Sequence, residues 1–326
     1  MAMNKISKGQ LFTLNFTSGA FFVFSARYAQ NLSELVATAI SAVIIAAVIL
    51  IFAAITKNKK PNIFINAVMF AVLLCAGAGC IASFFNAQNN ADFGIDHKLL
   101  CAVLLGCAVI YCASLKLNAA ARSSSIVFAA TIFALVLLLI GAFPKLRLSR
   151  IDLSFDLKKS FDYCLTAISN TAIAAVAAAL LIKRPKSGFG GYMSLGIVCA
   201  SILSIVLSIL AICIGNVDAP KYFELAKAAQ PFSVQSGEWI YIIIYGMLSV
   251  LCLSLIVNLA ADCLLQVFPK IRFQTVISAL LTFVCAHLMT RFSLSTQTVL
   301  AASSIGAVVL LSAMLFIPKT RYQKDS

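Results

Sequence analysis

The run LFTLNFTSGAFFVFSAR at residues 11–27 decides the fold class. It is close in length and apolarity to a membrane crossing, which takes about 20 residues. Yet Asn15, Thr17, Ser18 and Gly19 interrupt it near its middle. A second run, at 162–182, is interrupted in the same manner by Thr166, Ser169 and Asn170. In hydrocarbon, irregular backbone survives only where protein buries it or water reaches it. Glycine tolerates backbone angles that other residues avoid. Ser, Thr and Asn side chains satisfy groups that unwinding releases. The two clusters therefore predict that helices 1 and 6 are discontinuous and that a solute binds between them. The competing reading is that the same small polar residues are helix-packing contacts.

Composition supports the class. Of 326 residues, 62% are hydrophobic and 11% charged, and the mean hydropathy is +1.00. A soluble domain would carry about 25% charged residues. A soluble enzyme, a disordered chain and a disulfide-stapled secreted scaffold are excluded. Ten spans of about 20 residues would fill roughly 200 positions, near the apolar share observed. The expected architecture is an all-α integral membrane protein with ten transmembrane helices. They fall at 11–27, 34–56, 63–85, 99–115, 122–143, 162–182, 192–215, 239–267, 274–290 and 298–317. The 11 cysteines lie in or beside these runs without a CxxC pair, so they read as packing residues, not as metal ligands or disulfides.

The net charge of +14 reads as a topology signal, not as a nucleic-acid footprint. With the N-terminus inside, the cytoplasmic segments hold 15 of the 25 basic residues, among them Lys57, Lys59, Lys60, Lys183, Arg184 and Lys186. Both termini are then expected to face the cytoplasm. One outer loop resists, because residues 145–159 carry Lys145, Arg147, Arg150, Lys158 and Lys159. In that loop Leu153, Leu157 and Phe161 share one helical face, which predicts an amphipathic lead-in to span 6. A second long loop, 216–238, predicts a short helix between Pro220 and Pro231, with Tyr222, Leu225, Ala226 and Ala229 on one face. That helix is either a lid over an outer vestibule or a connector resting on headgroups.

Ten spans with both ends inside divide into two sets of five, and an odd number per set forces the sets into opposite orientations. That is a five-plus-five inverted repeat. The chain is expected to form one transmembrane domain over 1–326. Residues 1–143 form the first repeat, 144–317 the second and 318–326 a cytoplasmic tail.

Asp262 is the one carboxylate inside an apolar span, with Asn258 a turn earlier on the same face. The pair is a candidate for ion coupling. Alternatively, Asp262 reaches cytoplasmic water or pairs with Lys270 or Arg272. Tyr241 and Tyr245 fit an aromatic belt as well as a ligand cage. Ser201, Ser204 and Ser208 in span 7, and Gly77 and Gly79 in span 3, read as packing residues. No HExxH, P-loop or nucleophile elbow occurs. No enzymatic activity, cofactor or metal is expected.

Three stretches carry a family resemblance. KISKGQLFTLNFTSGAFFVF (5–24) resembles the opening of the spore germination permeases, the B-type subunits of germinant receptors in the amino acid–polyamine–organocation superfamily. SLKLNAAARSSSIVFAATIFALVLLLIGAFPKLRLSRIDL (114–153) resembles that family's entry to span 5 and the loop after it. Arg122 matches the arginine of the family's Gly-Leu-Glu-x-x-Ala-Arg entry, while Leu117, Asn118 and Ala119 replace Gly-Leu-Glu. APKYFELAKAAQPFSVQSGEW (219–239) is similar to the loop between spans 7 and 8. The resemblance implies the five-plus-five fold, an amino-acid-like solute and a bacterial cytoplasmic membrane, the spore inner membrane included. It also implies partnership with other germinant receptor subunits. Competing classes are a drug/metabolite exporter, which the two long outer loops count against, and a non-transporting membrane assembly subunit.

Overall fold

The computed structural model describes residues 6–25, 27–56, 62–90, 98–151, 155–165, 167–168, 189–215, 222–229 and 237–313. Nearly all of these are helical. In chain order the helices are α1 (Lys8–Ser25), α2 (Leu32–Thr56), α3 (Ile63–Asn90), α4 (Lys98–Ser114) and α5 (Lys116–Ala142). After two short 3-10 turns come α6 (157–165), α7 (Phe189–Ile214), α8 (Tyr222–Ala229), α9 (Gly237–Val267), α10 (Gln274–Arg291) and α11 (Thr296–Ala313). Five helices contain stretches long and apolar enough to cross a membrane: Leu32–Phe52, Ile63–Asn86, Leu117–Lys145, Gly191–Ile214 and Ile240–Val267. Leu100–Ser114 and Thr296–Leu310 are shorter apolar stretches.

Local sequence sets the helix ends. Ser7 and Gln10 form a reciprocal cap on α1: the Gln10 N–H reaches Ser7 Oγ at 3.2 Å and the Ser7 N–H reaches Gln10 Oε1 at 3.0 Å. Asn31 caps α2 by accepting the Glu34 N–H at 3.0 Å. Asp156 does the same for α6, accepting the Lys158 N–H at 2.9 Å. Gly215 closes α7 in a left-handed conformation (φ 70°), its N–H reaching Ala211 O at 3.0 Å.

Two basic residues of the 145–159 loop have structural tasks. The Arg150 guanidinium donates to the Ile214 carbonyl at the end of α7. Lys145 Nζ donates to Ala228 O near the end of α8 at 2.7 Å. Helix C-termini carry partial negative charge and unpaired carbonyls, so cations are stabilising there.

Helix α1 runs through the middle of the molecule, packed on α7, α5 and α9. Helix α3 packs on α9, α10 and α11, and α2 packs on α7. Gly77 of α3 faces Thr282, and Gly79 faces Leu300, so both pack helices as the sequence suggests. The short helix α8 is present where Pro220 and Pro231 bracket it, with Leu225 and Ala226 buried. It lies on α9 and α5.

The expected discontinuity of helix 1 is not observed: α1 is one unbroken helix from Lys8 to Ser25. Thr17 and Ser18 turn their hydroxyls back to the Leu14 carbonyl, both at 2.9 Å. The polar side chains are thus satisfied inside an intact helix, and no released backbone group needs them. Gly19 serves close approach: a Cβ there would lie 2.8 Å from Ala200 Cβ on α7. Gly196 repeats this from the other side, where a Cβ would come 2.7 Å from the Phe12 carbonyl oxygen. In helix 6, Thr166, Ser169 and Asn170 lie outside the described residues.

Candidate functional site

The α1 cluster sits at the crossing with α7. Asn15 is buried, and its Nδ2 donates to the Met193 carbonyl of α7 at 2.7 Å. Its Oδ1 is buried with no hydrogen-bond partner among the described residues. A buried acceptor left unmade costs about 1–3 kcal/mol. Thr13, two residues earlier and on another face of α1, bonds Ser124 Oγ of α5 at 2.9 Å. The crossing is tightly packed, and the open space lies farther along α1.

That space is a cavity of about 480 Å³ at the C-terminal end of α1. Phe22, Val23 and Arg27 line it from α1 and the turn after it, and Glu34, Thr38 and Ser41 from α2. Lys159, Asp162 and Tyr163 of α6, Ser201 and Ser204 of α7, and Gln297 of α11 complete the walls, together with Ala167. Pockets of this size suit a small organic solute.

The charged wall is held in place from several sides. One Arg27 nitrogen lies 2.5 Å from Glu34 Oε1, and Glu34 Oε2 accepts the Gln30 N–H at 2.8 Å. Arg27 is 46% exposed and Glu34 10%, so the carboxylate is the buried partner. The guanidinium also lies over the Tyr163 ring, 5.5 Å from its centre. The Tyr163 hydroxyl donates to the Arg27 carbonyl at 2.8 Å. Helix α6 is bonded to the head of α2 as well. Ser160 Oγ donates to Ser33 O at 2.9 Å, and the Asp156 N–H donates to Ser33 Oγ at 2.7 Å. The Ala29 N–H donates to Ser208 Oγ at 3.0 Å, which ties the α1–α2 connection to α7.

Of the sequence candidates, Asn15 and Gly19 lie at the α1–α7 crossing, Thr17 and Ser18 are buried with their hydroxyls bonded within α1, and none lines the cavity. Asn258 turns its Nδ2 to Ser254 O of its own helix at 3.0 Å. Asp262 is on an exposed face of α9, not turned into the bundle. Tyr241 and Tyr245 are buried and stacked on each other at 5.8 Å. The Tyr241 hydroxyl donates to Phe24 O at 3.0 Å, and the Tyr245 hydroxyl is 2.9 Å from Ser25 Oγ, so the pair anchors α9 to the end of α1.

Sequence reasoning missed Arg27, Glu34, Tyr163, Ser201 and Ser204. The two serines are cavity-lining, a correction to their packing assignment. Their three-residue spacing put them on one helical face, which was the available signal. Among the described residues, helix α8 contributes none to these walls and packs on α9, α5 and α7.

No protein-family model matches the chain, and no curated protein matches it. Among solved structures, it is similar to a nucleobase-cation-symport-1 family transporter in a closed conformation with bromovinylhydantoin bound. The TM-score is 0.65 at 14% identity, over 95% of this chain and 77% of that one. The likeness is one of fold. Together with the long apolar helices, it makes this chain an integral membrane protein with a transporter fold.

Proposed function

We propose that this chain is a permease-fold protein that takes a small polar solute, amino-acid-like in size and charge, into the cavity beside Arg27 and Glu34. The observation that carries this reading is the cavity itself. Its walls offer Arg27 and Lys159 to an anionic group and Glu34 and Asp162 to a cationic one, with hydroxyls from Thr38, Ser41, Ser201 and Ser204 between them. The likeness to a transporter with a small heterocycle bound supports a solute-handling role. Farther along α1, beyond Ser18 and Thr17, lies the buried Asn15 Oδ1, which has no hydrogen-bond partner among the described residues. No covalent chemistry, cofactor or metal enters this function.

Helix pairing supports a five-plus-five repeat. Matching α2, α3, α4 and α5 with α7, α9, α10 and α11 makes α2·α7, α3·α9 and α4·α10 self-partnered contacts. The same matching turns α3·α11 into α9·α5, α3·α10 into α9·α4 and α2·α11 into α7·α5, all of which are present. An inverted repeat produces paired contacts of this kind.

The stretches at 5–24 and 114–153 favour a second reading, in which the solute is sensed by a germinant-receptor subunit and not moved. Proteoliposomes containing the full chain separate the two. Saturable uptake of a labelled amino acid, lost in Arg27→Gln, supports transport. Saturable binding without uptake supports sensing. Neither binding nor uptake across the common amino acids removes the amino-acid-like solute.

A further inference from the structure

Helix α6 carries a second surface that the cavity does not use. Leu157, Phe161 and Leu165 are spaced four residues apart and are 75%, 65% and 51% exposed. They form one stripe along the helix. The helix cannot turn this stripe inward, because Ser160 and Tyr163 on other faces are bonded to Ser33 and Arg27. Lys158 is exposed beside the stripe. In the preceding loop, Phe143 and Leu148 are exposed, and Arg147 lies between them. Phe143 continues an outward-facing row on α5 formed by Phe133, Val136 and Ile140, on a helix apolar enough to face lipid.

Exposed apolar side chains flanked by basic ones, beside a bilayer-crossing helix, match the chemistry of a headgroup layer. The apolar groups enter the acyl boundary, and the cations meet lipid phosphates. Anionic lipid strengthens such contacts. We propose that residues 143–148 and 155–165 seat in the headgroup layer of a leaflet containing anionic phospholipid, with Arg147 and Lys158 as its phosphate contacts. The loop that resisted the charge rule thereby gains a lipid partner.

The test uses the full chain in vesicles. Trp239 is the single tryptophan, so Trp239→Phe gives a silent background. In it, Leu157→Trp and, separately, the aromatic-for-aromatic Phe161→Trp report the environment of the stripe. Vesicles of phosphatidylcholine alone are compared with vesicles containing phosphatidylglycerol. The expected result is emission at shorter wavelength, quenched by lipids brominated near the headgroup and shielded from aqueous iodide. The shift should be larger with phosphatidylglycerol, and the increment should vanish in Arg147→Gln/Lys158→Gln. Iodide quenching equal to that of a free indole overturns the proposal. So does lipid quenching indifferent to phosphatidylglycerol. Shielding from both quenchers marks a protein partner on this face and overturns it as well.

Discussion

Glu34 holds the Arg27 guanidinium with one carboxylate oxygen and the Gln30 N–H with the other. A single side chain at the head of α2 thus fixes both the charge at the cavity mouth and the chain entering the helix. Glu34→Gln keeps the shape and removes the ion pair. Because Arg27 is about half exposed, the stability loss should be modest, about 1 kcal/mol. In a protein of 326 residues that is a fall in Tm of roughly 1–2 °C. Solute binding should fall much more than stability does. Parallel thermal unfolding and binding titrations check this, and equal losses would assign Glu34 a structural task alone.

Tyr163 acts on Arg27 in two ways that substitution separates. Tyr163→Phe removes the bond to the Arg27 carbonyl but keeps the ring under the guanidinium, at a cost of about 1 kcal/mol. Tyr163→Ala removes both and should cost a further 0.5–1 kcal/mol or so, the value of an exposed cation–π contact. Repeating both in an Arg27→Gln background should abolish the difference attributed to the ring.

The α1–α7 crossing tolerates no added carbon. Gly196→Ala forces a methyl group to within 2.7 Å of a backbone oxygen, which cannot step aside as a side chain would. Overpacking of this kind costs about 1–3 kcal/mol. Gly246→Ala is the control, since nothing lies within 4 Å of the added atom. A mid-helix Gly→Ala there should stabilise by roughly 0.5–1 kcal/mol. Opposite shifts in Tm for the two variants are the expected outcome.

The end of α7 relies on Gly215 and Arg150 together. Gly215→Ala places a side chain at φ 70° and against the Arg150 guanidinium, and a left-handed non-glycine residue costs about 1–2 kcal/mol. Arg150→Gln loses the charge at the helix terminus, worth about 0.3–1 kcal/mol. Hydrogen exchange at Ile214 and Gly215 should accelerate in both variants. Unchanged exchange would remove the cap from the account.

The helices were legible in the sequence because long apolar runs admit little else in a bilayer. The short α8 was legible from its two prolines, and the α6 stripe from the spacing of Leu157 and Phe161. The cavity was not. Its walls come from the end of α1, the head of α2, α6, the middle of α7 and the start of α11, and no local pattern joins Arg27 to Ser204. Arg27 reads in sequence as one more loop cation. Only its seat between Glu34 and Tyr163 distinguishes it. Asn15, Thr17 and Ser18 drew attention as polar interruptions, yet hydroxyls bonding to their own helix leave no mark that separates them from a break. Asp262 stood out as an isolated carboxylate, but periodicity alone did not fix which way its helix face turned.

The cavity walls carry two cations and two anions of matched sign, Arg27 and Lys159 against Glu34 and Asp162. A transmembrane voltage pulls such a set in opposing directions and does little net work on it. A zwitterion crossing this region would likewise move no net charge, whereas an ion carries about 2.3 kcal/mol per 100 mV. Passage of an uncoupled zwitterion past Arg27 would therefore be electrically silent, and any current accompanying it would have to be carried by another ion.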